Sequence, residues 1–374
     1  MNYSEWERLF VQVSPEHDEM RQKAVRFIWE SRAEPGGYIK EPMIRFTKLP
    51  ERNCFSWHQV YYAMTMSDAD MAVATLTNMF PNQDEFGELP DLMTEDYINI
   101  TATKPPIHGY GLLRLWDRQG DKITRAHCEK MYTGLEKLYT FWTTLRDTDN
   151  DGVPQYNHGC ESGYDFSLMF AKGVPVETPD IICYVALLAE ALERIAGRLS
   201  LPDKAAEWSA KSRFLLDKLF DEFWNGERFI AKLSGLHETV VFDELEAYLP
   251  FMLGKRLPQP VADKMADDLR ERYLTPYGLA SQPNNGKPGV IMGFSQVKIL
   301  PGLYETGHRE LALQLLEGFV NFGAKHEPVF FFTEDLSNLG SNDFTKMSAL
   351  SSAIWLACAN RLYEFKRERL EEYE

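Results

Sequence analysis

Glu161 and Asp165 stand four residues apart in the stretch DTDNDGVPQYNHGCESGYDFSLMFAKGVPVETPD, residues 147–180, with Tyr156, Tyr164 and Phe166 interleaved. Carboxylates beside aromatic rings suit carbohydrate chemistry, because rings stack on the apolar faces of pyranoses while acids move protons. Asp165 is the first candidate for a general acid. Such a group must stay protonated near neutral pH, and tyrosine and phenylalanine neighbours would supply the desolvation that achieves this. Hydrolysis of a glycosidic bond needs a second carboxylate across the bond, and the separation of the pair decides the stereochemistry. That partner is expected from a distant loop. Glu334 and Asp335, in VFFFTEDLSNLG, follow an aromatic run and precede a glycine-containing turn.

Three other stretches carry groups of interest. The acidic loop NQDEFGELPDLMTEDYINITATKPP, residues 82–106, contains Gln83 and runs into IHGYGLL, where His108 and Tyr110 occupy a first helical turn. Both could reach a cavity, although local packing is the commoner fate of a histidine. FSWHQ, residues 55–59, brings Trp57 and His58 to the start of another helix. Asp147-x-Asp149-x-Asp151-Gly152 has the spacing of the front of an EF-hand, but its twelfth position is His158 where a bidentate glutamate is required. The run is therefore read as a polar turn with Asx-type hydrogen bonds, and no metal or organic cofactor is expected.

Helical periodicity dominates the segments that must position these groups. Glu16–Ser31 carries Met20, Ala24, Val25 and Ile28 at one-face spacing, and Ile123–Leu145 repeats the pattern with Met131, Leu135, Leu138, Tyr139 and Trp142. Pro179–Ile195 is strongly apolar and starts at Thr178-Pro179-Asp180, while Pro202 opens a helix running to about Phe223. Further helices are predicted over Trp57–Met64, Asp68–Met79, Ile107–Trp116, Phe242–Met252, Val261–Tyr273, Ile291–Thr306, His308–Phe322 and Lys346–Phe365. Strand signals are confined to Arg228–Ala231 and Val329–Phe332. The long connections, residues 80–104, 146–178, 275–289 and 323–344, hold the unusual residues. A ring of six helix hairpins would collect such loops on one face. The expected fold is all-α, an (α/α)6 toroid spanning residues 1–374 as a single domain.

The totals narrow the partners. A chain of 374 residues with 44% hydrophobic residues and 13% aromatics can bury a large core, and no low-complexity stretch divides it. Forty basic against 56 acidic residues leave a net charge of −16, which argues against nucleic acid and anionic membrane. No apolar run reaches membrane-spanning length, and the start MNYSEWERLF lacks the apolar core of a secretory signal. The five scattered cysteines, Cys54, Cys128, Cys160, Cys183 and Cys358, include no CxxC pair and fit a reducing cytoplasm. Cys160 has no basic sequence neighbour to activate its thiol. The charged tail FKRERLEEYE reads as a solvated helix end.

The chain resembles the inverting glycosidases of glycoside hydrolase family 63, which include processing α-glucosidase I and bacterial mannosylglycerate hydrolases, with trehalases as close relatives. The resemblance runs from about Trp57 to Trp355. NQDEFGELP is similar to the family's glutamine-glycine-proline loop, KPPIHGYGLL to its proline-proline helix start, and DGVPQYNHGCESGYDFS to the signature in which ESG-aromatic-D carries the general acid. The resemblance implies that Asp165 is the acid and that Glu161 belongs to the sugar-binding wall. PVFFFTEDLSNLG followed by SALSSAIWL is similar to the segment holding the base, where Glu334 aligns best and Asp335 lies one residue away. Three places depart from the pattern. Trp57-His58 replaces Trp-Asp, Phe166-Ser167-Leu168-Met169 replaces Asn-Ser-Pro-Arg, and KPGVIMGFSQ, residues 287–296, replaces a Tyr-Trp-Arg-Gly segment.

The leading expectation is a cytoplasmic inverting hydrolase of a small α-linked glycoside, α-glucoside- or α-mannoside-like. Asp165 would act as acid and Glu334 as base; Trp57, Tyr110 and Tyr164 would bound the ring, and His58, Gln83, His108 and Glu161 would bond its hydroxyls. The expected partner is a small-molecule or oligosaccharide substrate. A sugar epimerase on the same kind of toroid, with His58 and His108 as facing bases, is the second reading. A catalytically silent carbohydrate-binding protein is the third.

Overall fold

The computed structural model describes residues 1–372; the last two residues of the charged tail lie outside that range. In chain order the helices are α1 (Tyr3–Glu7), α2 (Asp18–Glu30), α3 (Ser56–Met64), α4 (Ala69–Thr77), α5 (His108–Gln119) and α6 (Arg125–Thr144). They continue with α7 (Pro179–Arg198), α8 (Pro202–Glu222), α9 (Gln259–Arg272), α10 (Gly293–Glu305), α11 (Arg309–His326) and α12 (Ala349–Glu371). The chain forms two compact units. One gathers residues 33–44 and 52–242; the other gathers residues 1–32, 45–51 and 243 onward.

The first of these units is organised around α7. Pro179 at its first turn has no N–H to leave unsatisfied, Asp180 complements the positive end of the helix dipole, and apolar residues then cover nearly the whole surface. A helix apolar on all sides must be enclosed. Helices α5, α6 and α8 pack against it. The approach of α5 is close: a Cβ built at Gly109 would lie 2.3 Å from the Leu188 backbone nitrogen. Only glycine permits that separation. Two antiparallel sheets occupy this unit's loops. Cys54–Phe55, Leu92–Met93 and Ile98–Asn99 form one; Gln155–Tyr156, Val176–Glu177, Ala231–Leu233 and Thr239–Val240 form the other, in that order.

The second unit centres on α10, α11 and α12. Ser348 and Ser351 form a capping box that starts α12, and the buried Trp355 indole donates to the Val320 carbonyl of α11 at 2.9 Å. Val290–Met292 pairs antiparallel with Phe331–Thr333, in register Val290 to Thr333.

Every predicted helix has a helical counterpart, but several expectations need correction. The chain is mostly helical and not purely so, because short β-pairs close the long loops. The expected helix over Ile291–Thr306 starts at Gly293: Val290 and Ile291 are β-branched and satisfy their backbone in the pairing with Phe331–Thr333. The expected Phe242–Met252 helix is a run of 3₁₀ turns, Leu245–Arg256, interrupted at Gly254, where φ is +56°. The strand expected at Arg228–Ala231 lies at Ala231–Leu233. Helix α1 falls outside the predicted helices, being a short element held by an Asn2–Glu5 capping box. Among the described residues no helix is long and apolar enough to cross a membrane.

Gly109→Ala should destabilise the chain by about 2–3 kcal/mol, the usual cost of forcing a methyl into a filled interface. A drop in the thermal midpoint checks it, and an unchanged midpoint would mean that α5 and α7 can move apart freely.

Candidate active site

The loop carrying Asp165 is held from beneath by charges that burial makes costly to separate. Glu161 is buried, and both its oxygens are engaged: Oε1 accepts from Arg146 Nη2 at 2.8 Å, and Oε2 accepts the backbone N–H groups of Asn157 at 2.6 Å and His158 at 3.3 Å. Burial raises the Glu161 pKa, and the Arg146 charge and those N–H groups oppose the rise. Arg146 also lies 3.8 Å from Glu88, whose Oε1 accepts a hydrogen bond from Thr103 Oγ1 at 2.6 Å. One guanidinium thus joins the acidic loop to the signature loop.

Lys104 forms a second tie between the same loops. Its ammonium lies 3.1 Å from Asp91 Oδ1 and donates to the Cys160 carbonyl at 2.5 Å. Asp91 is buried, which raises its pKa, and Lys104 partly offsets that rise. His58 is also buried. Desolvation first and the Lys104 charge second push its pKa well below the ordinary value, so the imidazole is neutral.

Gly163 sits at φ +77° between these ties, and a Cβ there would lie 2.2 Å from Trp57 Cη2. The indole is the floor on which the glycine turn rests. Tyr164 is buried, with its N–H donating to Ser162 Oγ at 2.9 Å. Asp165 is exposed beyond it, and Phe166 is 98% exposed. The expected desolvation of Asp165 by its flanking rings is therefore not provided: Phe166 faces solvent, and Tyr156 is buried with its hydroxyl donating to Asp180 at 2.9 Å.

The remaining candidates sit deeper than expected. Tyr110 is 2% exposed, and Gln83 Nε2 donates to the carbonyls of Gly87 and Gly134 at 2.9 and 3.0 Å. His108 is buried against Phe80, with ring centroids 5.8 Å apart and neither nitrogen hydrogen-bonded. Desolvation lowers its pKa to about 4.

Glu334 belongs to the other unit. It is half-buried at the end of Phe331–Thr333, its N–H donates to the Gly289 carbonyl at 2.8 Å, and Gly289 N–H approaches Oε2 at 3.4 Å. It lines a cavity of about 450 Å³ together with Asn284, Lys287, Pro288 and Asp335. Asp335 Oδ1 accepts from Ser337 Oγ at 2.7 Å and Ser337 N–H at 3.1 Å, bonds that lower its pKa. The sequence reading missed Arg146, Lys104 and Asp91. A run such as ELPDL or KPP signals a turn but not the distant charge it will meet.

Residues 51–287 match the family model described as the mannosylglycerate hydrolase MGH1-like glycoside hydrolase domain. No curated protein sequence matches the chain. Among solved structures, the chain is similar to the GH63 mannosylglycerate hydrolase of Thermus thermophilus in complex with glucose. That match has a TM-score of 0.72, 17% identity, and covers 90% of this chain and 99% of that one. The same Thermus protein in complex with Tris and D-glycerate matches at TM-score 0.71 and 15% identity, over 91% and 99% of the two chains. The neutral trehalase of Saccharomyces cerevisiae matches at TM-score 0.68 and 12% identity, over 88% and 75%. At such identities these likenesses speak to fold.

Two outcomes follow from the buried groups. His108 is neutral in the folded chain and protonates on unfolding. It therefore costs no stability above about pH 6.5 and progressively more as pH falls toward 4, on the order of 3 kcal/mol in all. Denaturant titrations at pH 7 and 4.5 should show His108→Gln losing less stability on acidification than the parent; equal losses would contradict it. Gly163→Ala should lower turnover about a hundredfold through displacement of the loop, and undiminished turnover would show that the turn tolerates the clash with Trp57.

Proposed function

The chain belongs to the mannosylglycerate hydrolase MGH1-like glycoside hydrolase family and is a glycoside hydrolase, and from this premise we propose that it hydrolyses a small α-linked glycoside with inversion. Asp165 donates a proton to the leaving oxygen, and Glu334 takes a proton from the water that attacks the anomeric carbon from the opposite side. The observation that carries this reading is the construction of the Asp165 loop: an exposed carboxylate on a turn that Glu161, Arg146, Lys104 and Trp57 hold in place. Pre-organisation of this kind is what a proton donor needs, since a donor displaced by an ångström loses most of its effect.

Glu334 is preferred to Asp335 on chemical grounds. Hydrogen bonds from Ser337 stabilise the Asp335 carboxylate and make it a weaker base. Both border a cavity large enough for water and part of a sugar, and Glu334 lacks the Ser337 bonds that hold Asp335 as its carboxylate. Glu161 supports the loop. Trp57, His58, Tyr110 and Tyr164 shape the wall beneath the sugar, with Gln83 and His108 behind them. Desolvation of Asp165 comes from the bound sugar, which displaces water from the exposed carboxyl.

The substrate class, α-glucoside or α-mannoside, is supported by the likeness to a mannosylglycerate hydrolase that accommodates glucose in one complex and D-glycerate in another. The same reading treats residues 1–374 as one catalytic domain of the (α/α)6 kind, supported by the likeness to the Thermus hydrolase across 90% of the chain. The free cysteines agree with a cytoplasmic setting. An epimerase would need His58 and His108 open to a sugar as bases. Both imidazoles are buried, so that alternative gains no support.

Proton NMR of the enzyme with α-glucosides and α-mannosides should show the β-anomer of the released sugar first. Asp165→Asn and Glu334→Gln should each lower kcat at least a hundredfold, roughly the contribution of one acid or base group. An α-anomer appearing first would rule out inversion, and a fully active Asp165→Asn would remove that residue from the acid role.

A further inference from the structure

The turn that carries Asp165 presents a second side chain beside it. Ser167 N–H donates to the Tyr164 carbonyl at 3.0 Å, which closes a β-turn with Asp165 and Phe166 as its two corner residues. Tyr164 and Met169 on either side are buried, whereas Phe166 is 98% exposed and Leu168 47% exposed. The protein side of Asp165 is already occupied. The Cys160 thiol donates to its carboxylate, and the buried Asp91 lies near enough to feel its charge.

A lone exposed apolar side chain is ordinary on a protein surface. Phe166 differs in its neighbour. A general acid reaches the leaving oxygen at hydrogen-bond distance. The leaving group therefore occupies the space just outside Asp165, where the adjoining solvent-facing corner residue meets it. An aromatic ring offers that group a flat apolar face. The loop has little to offer an anion. Residues 157–171 contain no lysine or arginine, and Lys172 is paired with Glu238. Lys104 and Arg146 are committed to Asp91 and Glu161. Phe166-Ser167-Leu168-Met169 also stands where the resembling family has Asn-Ser-Pro-Arg, so apolar groups replace a polar residue and a cation.

We propose that Phe166 is the platform for the leaving group and sets its chemistry. It selects uncharged leaving groups with an apolar face, an aryl or alkyl alcohol or a second pyranose, over hydroxy acids. The inference rests on the assignment of Asp165 as general acid, and it names the side of the substrate that this assignment leaves open.

Calorimetric titration of Asp165→Asn, which should bind glycosides without cleaving them, separates recognition from turnover. The probes are methyl α-glucoside, benzyl α-glucoside and maltose, with α-glucosylglycerol beside α-glucosylglycerate, and the corresponding α-mannosides. The benzyl glycoside should bind about tenfold more tightly than the methyl, the scale of one filled apolar contact. That preference should vanish in Asp165→Asn/Phe166→Ala and return in Asp165→Asn/Phe166→Trp. Because Phe166 is exposed, both replacements should keep the thermal midpoint. A gain for the disaccharide equal to that of the benzyl glycoside would identify a sugar as the leaving group, and a benzyl gain alone an aryl or alkyl alcohol. Equal binding of methyl and benzyl glycosides, no binding of either, or a benzyl preference that survives Phe166→Ala would overturn the proposal. Tighter binding of glucosylglycerate than of glucosylglycerol would overturn it as well. Turnover by Asp165→Asn would instead remove the acid assignment, a failure read from released sugar and not from the binding ratio.

Discussion

Arg146 is the group on which the candidate site most depends. Its guanidinium reaches Glu161 at 2.8 Å and Glu88 at 3.8 Å, and Glu161 in turn organises the backbone of the signature loop through two N–H groups. Buried ion pairs add little net stability, because desolvation consumes most of the attraction, but removing one partner strands a charge and is strongly destabilising. The arrangement is thus better understood as enforcing a geometry than as supplying stability. Lys104 repeats the device one step further along, linking Asp91 to the Cys160 carbonyl. Two cations and three carboxylates supply what an apolar core could not give loops rich in polar and acidic residues.

The division of labour among acidic residues follows from burial. Glu161, Asp91 and Glu177 are enclosed and are pushed toward higher pKa by desolvation, whereas Asp165 is open to water and Glu334 lies at a cavity edge. The enclosed carboxylates shape the scaffold; the open ones are available to a substrate. His58 shows the same logic in reverse. In the position where the resemblance leads one to expect an aspartate, a neutral imidazole beside Lys104 avoids adding a further negative charge near Asp91 and Asp165.

Much of the scaffold was legible in the chain. Apolar residues at helical spacing marked α2, α6 and α7, and Pro179 and Pro202 marked helix starts, because periodicity and proline stereochemistry are local properties. The importance of the ESGYD turn was legible as well, through its mixture of carboxylates, rings and glycines. The role of each member was not. Glu161 looked as available to a sugar as Asp165, and Phe166 looked as able to desolvate an acid as Tyr164. Only packing on Trp57 and pairing with Arg146 separate the anchor from the open group and the buried ring from the exposed one.

The sequence by itself determined that the chain is mostly helical, that its chemistry concentrates in long loops, and which carboxylates deserve scrutiny. Each of these depends on residues near one another in the chain. Tertiary structure alone decided which carboxylates are neutralised. Glu88 meets Arg146 and Asp91 meets Lys104. Charge interactions depend on distance in space and on local exclusion of water, and neither is encoded at any single position.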